Sequence, residues 1–221
     1  MTADGPGHSG HRAAPSLPAA RLDALTDGIF AVAMTLLVLG LDRHIPDPLA
    51  GQTLFGGLLE FGDQFADYVI SFAVLGVFWL GHLRMTRRLR EADTTFVLGN
   101  LAFLFFVTMI PPLTTLIGDH PNRPRAAILY GANLLFLLLC EAAMWHRICH
   151  RLANESLANP LGTWRLVRKR YGAALAVVIA GIVAAMIEIR IGVTGWHSRW
   201  IYVLLIGLGV VRPPVRGVPR A

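Results

Sequence analysis

ALTDGIFAVAMTLLVLGL, residues 24–41, carries one ionisable side chain in eighteen positions, Asp27 near its start. A helix of that length rises about 27 Å at ~1.5 Å per residue, close to the ~30 Å hydrocarbon thickness of a bilayer. Five more apolar runs follow: Ala66–Leu83, Thr95–Ile117, Ala126–Trp145, Tyr171–Ile189 and Trp200–Val211. The chain is 54% apolar and 15% charged, against ~45–50% and ~25% in soluble proteins. Runs this long cannot be buried inside 221 residues, which excludes a soluble enzyme, a disordered chain and a disulfide scaffold. The pattern defines an all-α integral membrane protein with six transmembrane helices per subunit. The sixth run is short. Its twelve residues reach only about 18 Å, so the last helix has to begin near Trp196, carrying His197 and Arg199 into the headgroup region, or fail to span.

Lysine and arginine orient the helices, because short loops rich in them stay in the cytoplasm. With six crossings, fifteen of the 20 lie on the side that holds both termini and five on the other. This predicts a multi-pass protein with both ends cytoplasmic, and it assigns the net charge of +6 to topology rather than to nucleic acid. Met1–Ala20, rich in Gly, Pro, Ser, Ala and His and without the apolar centre of a signal peptide, reads as a disordered cytosolic tail. Residues 21–211 form the membrane domain and 212–221 a second cytosolic tail. Asp42 to Asp63, with Pro46, Pro48 and several glycines, is a long acidic outer connection. Arg84 to Asp93 and His146 to Arg170 are basic cytoplasmic loops, suited to lie on anionic headgroups as helical extensions. Cys140 and Cys149 are poorly placed for a disulfide.

No G-x-S-x-G, H-E-x-x-H or C-x-x-C occurs, and no enzyme signature is present. The ionisable residues of the runs, Asp27, Asp67, His82, Glu141 and Glu188, fall within a few residues of a boundary, where side chains snorkel or cap helix ends, and none is at mid-depth. Asp27 follows Thr26, with Arg21 upstream and Gly28 beside it. It is either an N-terminal cap favoured by the helix dipole, or part of an interhelical network with Arg21, Thr26, Trp79 and His82. The sequence allows both. Taking Gly28 as zero at about 100° per residue, Val32 falls near 40°, Thr35 near 340°, Leu36 near 80° and Leu39 near 20°. Those residues make one stripe, readable as a packing face or as the lining of a pore, since a narrow apolar constriction dewets and blocks ions until it widens.

The string from Arg21 to Leu39 resembles R-x-x-x-F-S-D-G-x-x-A-I-x-x-T-L-L-V-L, the signature of the transmembrane protein 175 family of endosomal and lysosomal potassium channels and their prokaryotic relatives. Trp79-Leu-Gly-His82 resembles the family's W-x-x-H, and Asn100 to Pro111 resembles its N-L-x-F-L-x-x-V-S-x-x-P. Specific motifs cover Arg21 to Gly118; beyond that the likeness is one of hydropathy and spacing. Leu25 stands for the usual Phe, Thr26 for Ser, and Val32 and Met34 for Ile. The resemblance implies a potassium-permeable leak-type channel without a carbonyl filter, and the T-V-G-Y-G string is absent here. It implies that Val32 forms the constriction, with potassium passing Val32 and Thr35, and that Leu36 and Leu39 add apolar layers. It makes Arg21, Thr26, Asp27, Trp79 and His82 a structural or gating network. One six-helix unit cannot enclose an axis, and the resemblance implies a homotetramer in which helix one lines a central pore, in the plasma membrane of a prokaryote. The single methylene missing at Val32 relative to Ile should widen the ring slightly.

Two other classes fit parts of the sequence. A secondary transporter or proton carrier calls for broken helices and ionisable groups at mid-membrane; Pro111-Pro112 is the one candidate break, near the outer end of helix three. A non-transporting membrane scaffold fits the composition but not the motifs. The expected partners are potassium ions, the lipid bilayer and copies of the same chain. No cofactor is expected, and His8 and His11 are too sparse for a metal site.

Overall fold

The computed structural model describes residues 17–41, 54–87, 89, 91–120, 123–154, 160–192 and 201–210. Seven helices are seen among them: α1 (Ala19–Leu41), α2 (Leu54–Thr86), α3 (Thr94–Thr108), α4 (Ile110–Asp119), α5 (Pro124–Asn154), α6 (Pro160–Ile191) and α7 (Val203–Val210). Two short strands, β1 (Leu17–Pro18) and β2 (Glu91–Ala92), pair antiparallel, with Leu17 opposite Ala92. Five segments are long and apolar enough to cross a membrane: Ala19–Leu41, Phe61–Thr86, Thr94–Asp119, Pro124–His150 and Arg168–Ile191.

The first five apolar runs each fall within one of these segments, but the helices outrun them. Helix α1 starts at Ala19 inside the expected tail, of which residues 1–16 lie outside the described part. Helix α2 begins at Leu54, so the expected outer connection is helical over its second half, and the Pro46 and Pro48 portion lies outside the described residues. The basic loop from His146 to Arg170 is helical at both ends, through Asn154 and again from Pro160. Hydropathy marks where a helix leaves hydrocarbon, whereas backbone hydrogen bonding continues into the interface. The sixth run is represented by α7 and a single 3₁₀ turn at Ile201–Tyr202; Trp196, His197, Arg199 and the tail from 212 are outside the described residues.

Pro111 and Pro112 act earlier than the sequence suggests. Lacking N–H groups, they cannot continue the ladder of α3, which ends at Thr108; after Met109 the chain restarts as α4 with a proline in its first turn. The Phe106 carbonyl at this break accepts from Met109 N at 3.3 Å and from the Asn133 amide of α5 at 3.0 Å, so the kink is held by a neighbouring helix. At the other end of α3 Asp93 caps the helix, its side chain accepting from Phe96 N at 3.1 Å while its second oxygen meets Arg147 at 3.4 Å.

Tyr202 docks the last element. Its side chain is 1% exposed and its hydroxyl donates to the Ala127 carbonyl at 3.0 Å. It lies where α5 and α6 present glycines: a Cβ on Gly181 would stand 2.6 Å from the tyrosine ring, and one on Gly131 would strike its hydroxyl. Gly181→Ala is expected to expel Tyr202 and to cost about 1–3 kcal/mol by overpacking, read as a lower thermal unfolding midpoint in detergent. An unchanged midpoint would contradict this packing.

Candidate functional site: the free face of α1

Helix α1 packs into its own subunit through Leu22, Thr26, Phe30, Ala33 and Leu37, all buried. On the wheel that seam lies opposite the stripe read from the sequence. Val32 is 56% exposed, Leu36 45% and Leu39 61%, and Gly28 and Thr35 are exposed with them. The stripe therefore contributes nothing to the interior of its own subunit. Exposure alone does not mark it as special, because α6 also turns out Val183, Ile187 and Ile191, as a helix facing lipid does. The α1 face carries a polar interruption, as does the α3 face of Leu98, Leu101 and Phe105, where the exposed Thr108 Oγ1 donates to the Phe105 carbonyl at 2.8 Å. Thr35 Oγ1 donates to the Val32 carbonyl at 2.8 Å, so its proton is committed to the backbone and its oxygen presents lone pairs outward, the polarity a cation requires.

The N-terminal half of α1 is tied to two neighbours. Asp27 Oδ1 accepts from the Trp79 indole N–H at 2.8 Å, joining α1 to α2. Thr26 Oγ1 accepts from the Asn100 amide at 3.2 Å, joining α1 to α3. The cap reading of Asp27 is overturned: α1 starts eight positions earlier, and Asp27 lies well inside the helix. Among the five residues expected to form one network, the structure pairs only Asp27 with Trp79. Arg21 is exposed, with no side-chain hydrogen bond or ion pair among the described residues. His82 is 2% exposed and stacks on Phe103, ring centroids 5.3 Å apart and planes within 10°; among the described residues neither of its ring nitrogens has a hydrogen-bond partner. Phe30 and Phe78 also lie against Phe103, so His82 joins the aromatic packing beneath α1 rather than the polar pair.

Asn100 is the member the sequence reading missed. It heads the third motif and is fully buried; a lone amide in an otherwise apolar run was the signal, because a buried amide calls for a partner on another helix. The snorkelling expectation is also overturned for Asp67, His82, Glu141 and Glu188, which are 8%, 2%, 4% and 7% exposed. Each faces neighbouring helices. Glu141, four residues from the midpoint Leu137 of its span, is deeper than expected and hydrogen-bonds Tyr171 of α6. Among the described residues neither Cys140 nor Cys149 is in a disulfide.

Fold and site together define a helical membrane protein whose first helix is held from behind by polar pairs and offers a threonine-bearing apolar face. The model of the family described as endosomal/lysosomal potassium channel TMEM175 matches residues 21–111, the stretch that holds the three motifs, which bears out their resemblance to that family. A potassium channel of Streptomyces collinus is 30% identical over 129 residues, 57% of this chain and 62% of that one. The endosomal/lysosomal proton channel TMEM175 of Rattus norvegicus is 30% identical over 142 residues, 58% of this chain and 28% of that one. The chain thus spans about three fifths of the bacterial relative and about a quarter of the animal one. The crystal structure of a lysosomal potassium-selective channel TMEM175 homolog from Chamaesiphon minutus superposes with a TM-score of 0.70 at 23% identity, over 86% of this chain and 95% of that one, a likeness of fold. These are descriptions of ion channels, not of enzymes.

Proposed function

We propose that the chain is one subunit of a potassium-permeable, leak-type channel, a homotetramer in which four copies of α1 surround the axis. The observation that carries this reading is the free α1 stripe, set opposite the helix's packing seam and inside the segment that matches a channel family. Four such faces around a fourfold axis cover one another's apolar surface and leave a narrow path between them. Val32 forms the constriction, Leu36 and Leu39 add apolar layers, and the Thr35 oxygens contact a cation that has shed part of its water. No carbonyl filter is involved; selectivity comes from the width of the apolar ring and the hydroxyl layer. In this reading 21–211 is the channel domain, α7 belongs to a sixth crossing, and the protein sits in the plasma membrane of a prokaryote with its termini inside.

Protons are the second ion to consider, because animal relatives bear the name of proton channels. Purified protein in liposomes, with potassium inside and sodium outside at equal pH and then with a pH step at symmetric potassium, separates the two. The first condition is expected to give a reversal potential displaced toward that of potassium, and Val32→Ala a current larger by about twofold or more, or less selective, as a wider apolar ring admits more water. A reversal that follows only the pH step would replace potassium by protons. No current despite an intact tetramer would favour the scaffold, and substrate-dependent flux without single-channel steps would favour a carrier.

A further inference from the structure

We propose that each subunit holds a second, off-axis cation site, a cleft behind α1 that takes one monovalent metal cation on the Asp67 carboxylate, the Gln64 side-chain carbonyl and the hydroxyls of Thr114 and Thr115. The cleft lies between α1, α2 and α4, toward the opposite end of α1 from the Asp27–Trp79 pair, and reaches Leu37 and Gly40 on the packed side of α1. A second cleft shares Asp67 and Thr114 with it and extends to Ser71 and Tyr130. Each has a volume of about 20 Å³, against the ~10–15 Å³ that a single water, or an ion of similar radius, occupies.

Three observations point to a cation. Gln64 is 8% exposed, faces the cleft, and its Oε1 has no hydrogen-bond partner among the described residues, although buried polar atoms are nearly always satisfied. Asp67 beside it is equally buried within a membrane-crossing segment, a position where carboxylates are kept for a purpose. The threonines point acceptors at the same space. Thr115 Oγ1 donates to the Pro111 carbonyl at 3.2 Å, and Thr114 Oγ1 lies 2.9 Å from the Ile110 carbonyl and 2.7 Å from Ser71 Oγ; with their protons committed there, their lone pairs remain for a ligand. Gly40 is part of the construction, since a Cβ on it would stand 2.8 Å from Thr115 Oγ1 and push α1 away from α4.

The donor set fixes the class. All the ligating atoms are hard oxygens, which suit alkali and alkaline-earth ions. One carboxylate among neutral oxygens balances a single positive charge, and no group of three or more His, Cys, Asp or Glu able to hold a metal occurs among the described residues. A bound sodium or potassium ion would tie α2 to α4 behind the C-terminal half of α1, whose Leu37 and Gly40 line the same cleft, and so shape the surface on which α1 rests. The site does not depend on α1 lining a pore.

Crystals of the full chain grown in potassium and soaked in thallium(I), a potassium surrogate with a strong anomalous signal, test the site directly. An anomalous peak is expected within about 3 Å of Asp67 and Gln64 oxygens, retained in Val32→Ala and lost in Asp67→Asn and in Gln64→Leu, two variants so that one failing to fold leaves the other. A soak that places thallium elsewhere but not there, or a peak unchanged in both variants, overturns the proposal. In solution, the unfolding midpoint of the detergent-solubilised wild type should rise saturably as potassium replaces N-methyl-D-glucamine, with the rise reduced by more than half in either variant; an equal rise in all three proteins overturns it. Failure of the channel reading would show instead as absent current with the Asp67 peak intact.

Discussion

Val32→Trp is expected to reduce potassium flux into liposomes by about tenfold or more, and Ile187→Trp to leave it unchanged. The two positions are alike by every static measure, Val32 56% exposed on α1 and Ile187 53% exposed on α6, both apolar and both within membrane-crossing segments. If α1 and α6 both faced lipid, an indole at either would be accommodated by acyl chains and neither would alter transport. If α1 faces its own copies around a fourfold axis, four indoles are brought into the narrowest layer, where a side chain adds both bulk and a barrier to wetting. The effect is large because symmetry multiplies it by four within a space of one ion's width. Equal flux in the two variants, with tetramers verified, would remove α1 from the axis. Opposite results, with Ile187→Trp the blocking substitution, would place α6 there instead.

The stripe on α1 was legible because both properties that define it are periodic. Packing residues recur on one side of the helix and free residues on the other, and a wheel separates them without coordinates. The ends of the helices were not legible, since Arg21 and Asp23 in α1, and Asp63 in α2, read as lying outside a span when the backbone ladder runs past them. The surroundings of polar residues were hidden for a related reason. A carboxylate near the edge of an apolar run has the same one-dimensional pattern whether it reaches headgroups or turns between helices, and Asp67 and Glu188 do the latter. Thr26 and Asp27 were both singled out, but which neighbours they meet depends on the rotation of α2 and α3 about their axes. That rotation gives Asp27 to Trp79 and Thr26 to Asn100, and puts His82 on the aromatic side.

Asp27→Ala should weaken assembly much more than selectivity. The Asp27–Trp79 bond, at 2.8 Å, has an anionic acceptor, a class of hydrogen bond worth about 1.5–3 kcal/mol. It fixes the rotation and tilt of α1 at a level below Val32, on a helix with few other polar ties. Loss of the carboxylate strands the indole N–H, and loss of the indole by Trp79→Phe strands the carboxylate, so either single change costs about as much as both together. The double variant tests this: unfolding midpoints of Asp27→Ala, Trp79→Phe and the pair are expected to fall by similar amounts, with tetramer yield falling in step, because four loosened copies must still meet at one axis. Additive losses would mean that the two residues act separately. The tetramers that do form should keep the wild-type reversal potential under opposed potassium and sodium, since neither side chain lies on the stripe proposed to meet the ion. A reversal potential that collapses in Trp79→Phe while the tetramer stays intact would mean that the pair shapes the ion path itself, and the constriction would then have to be sought nearer Asp27 than Val32.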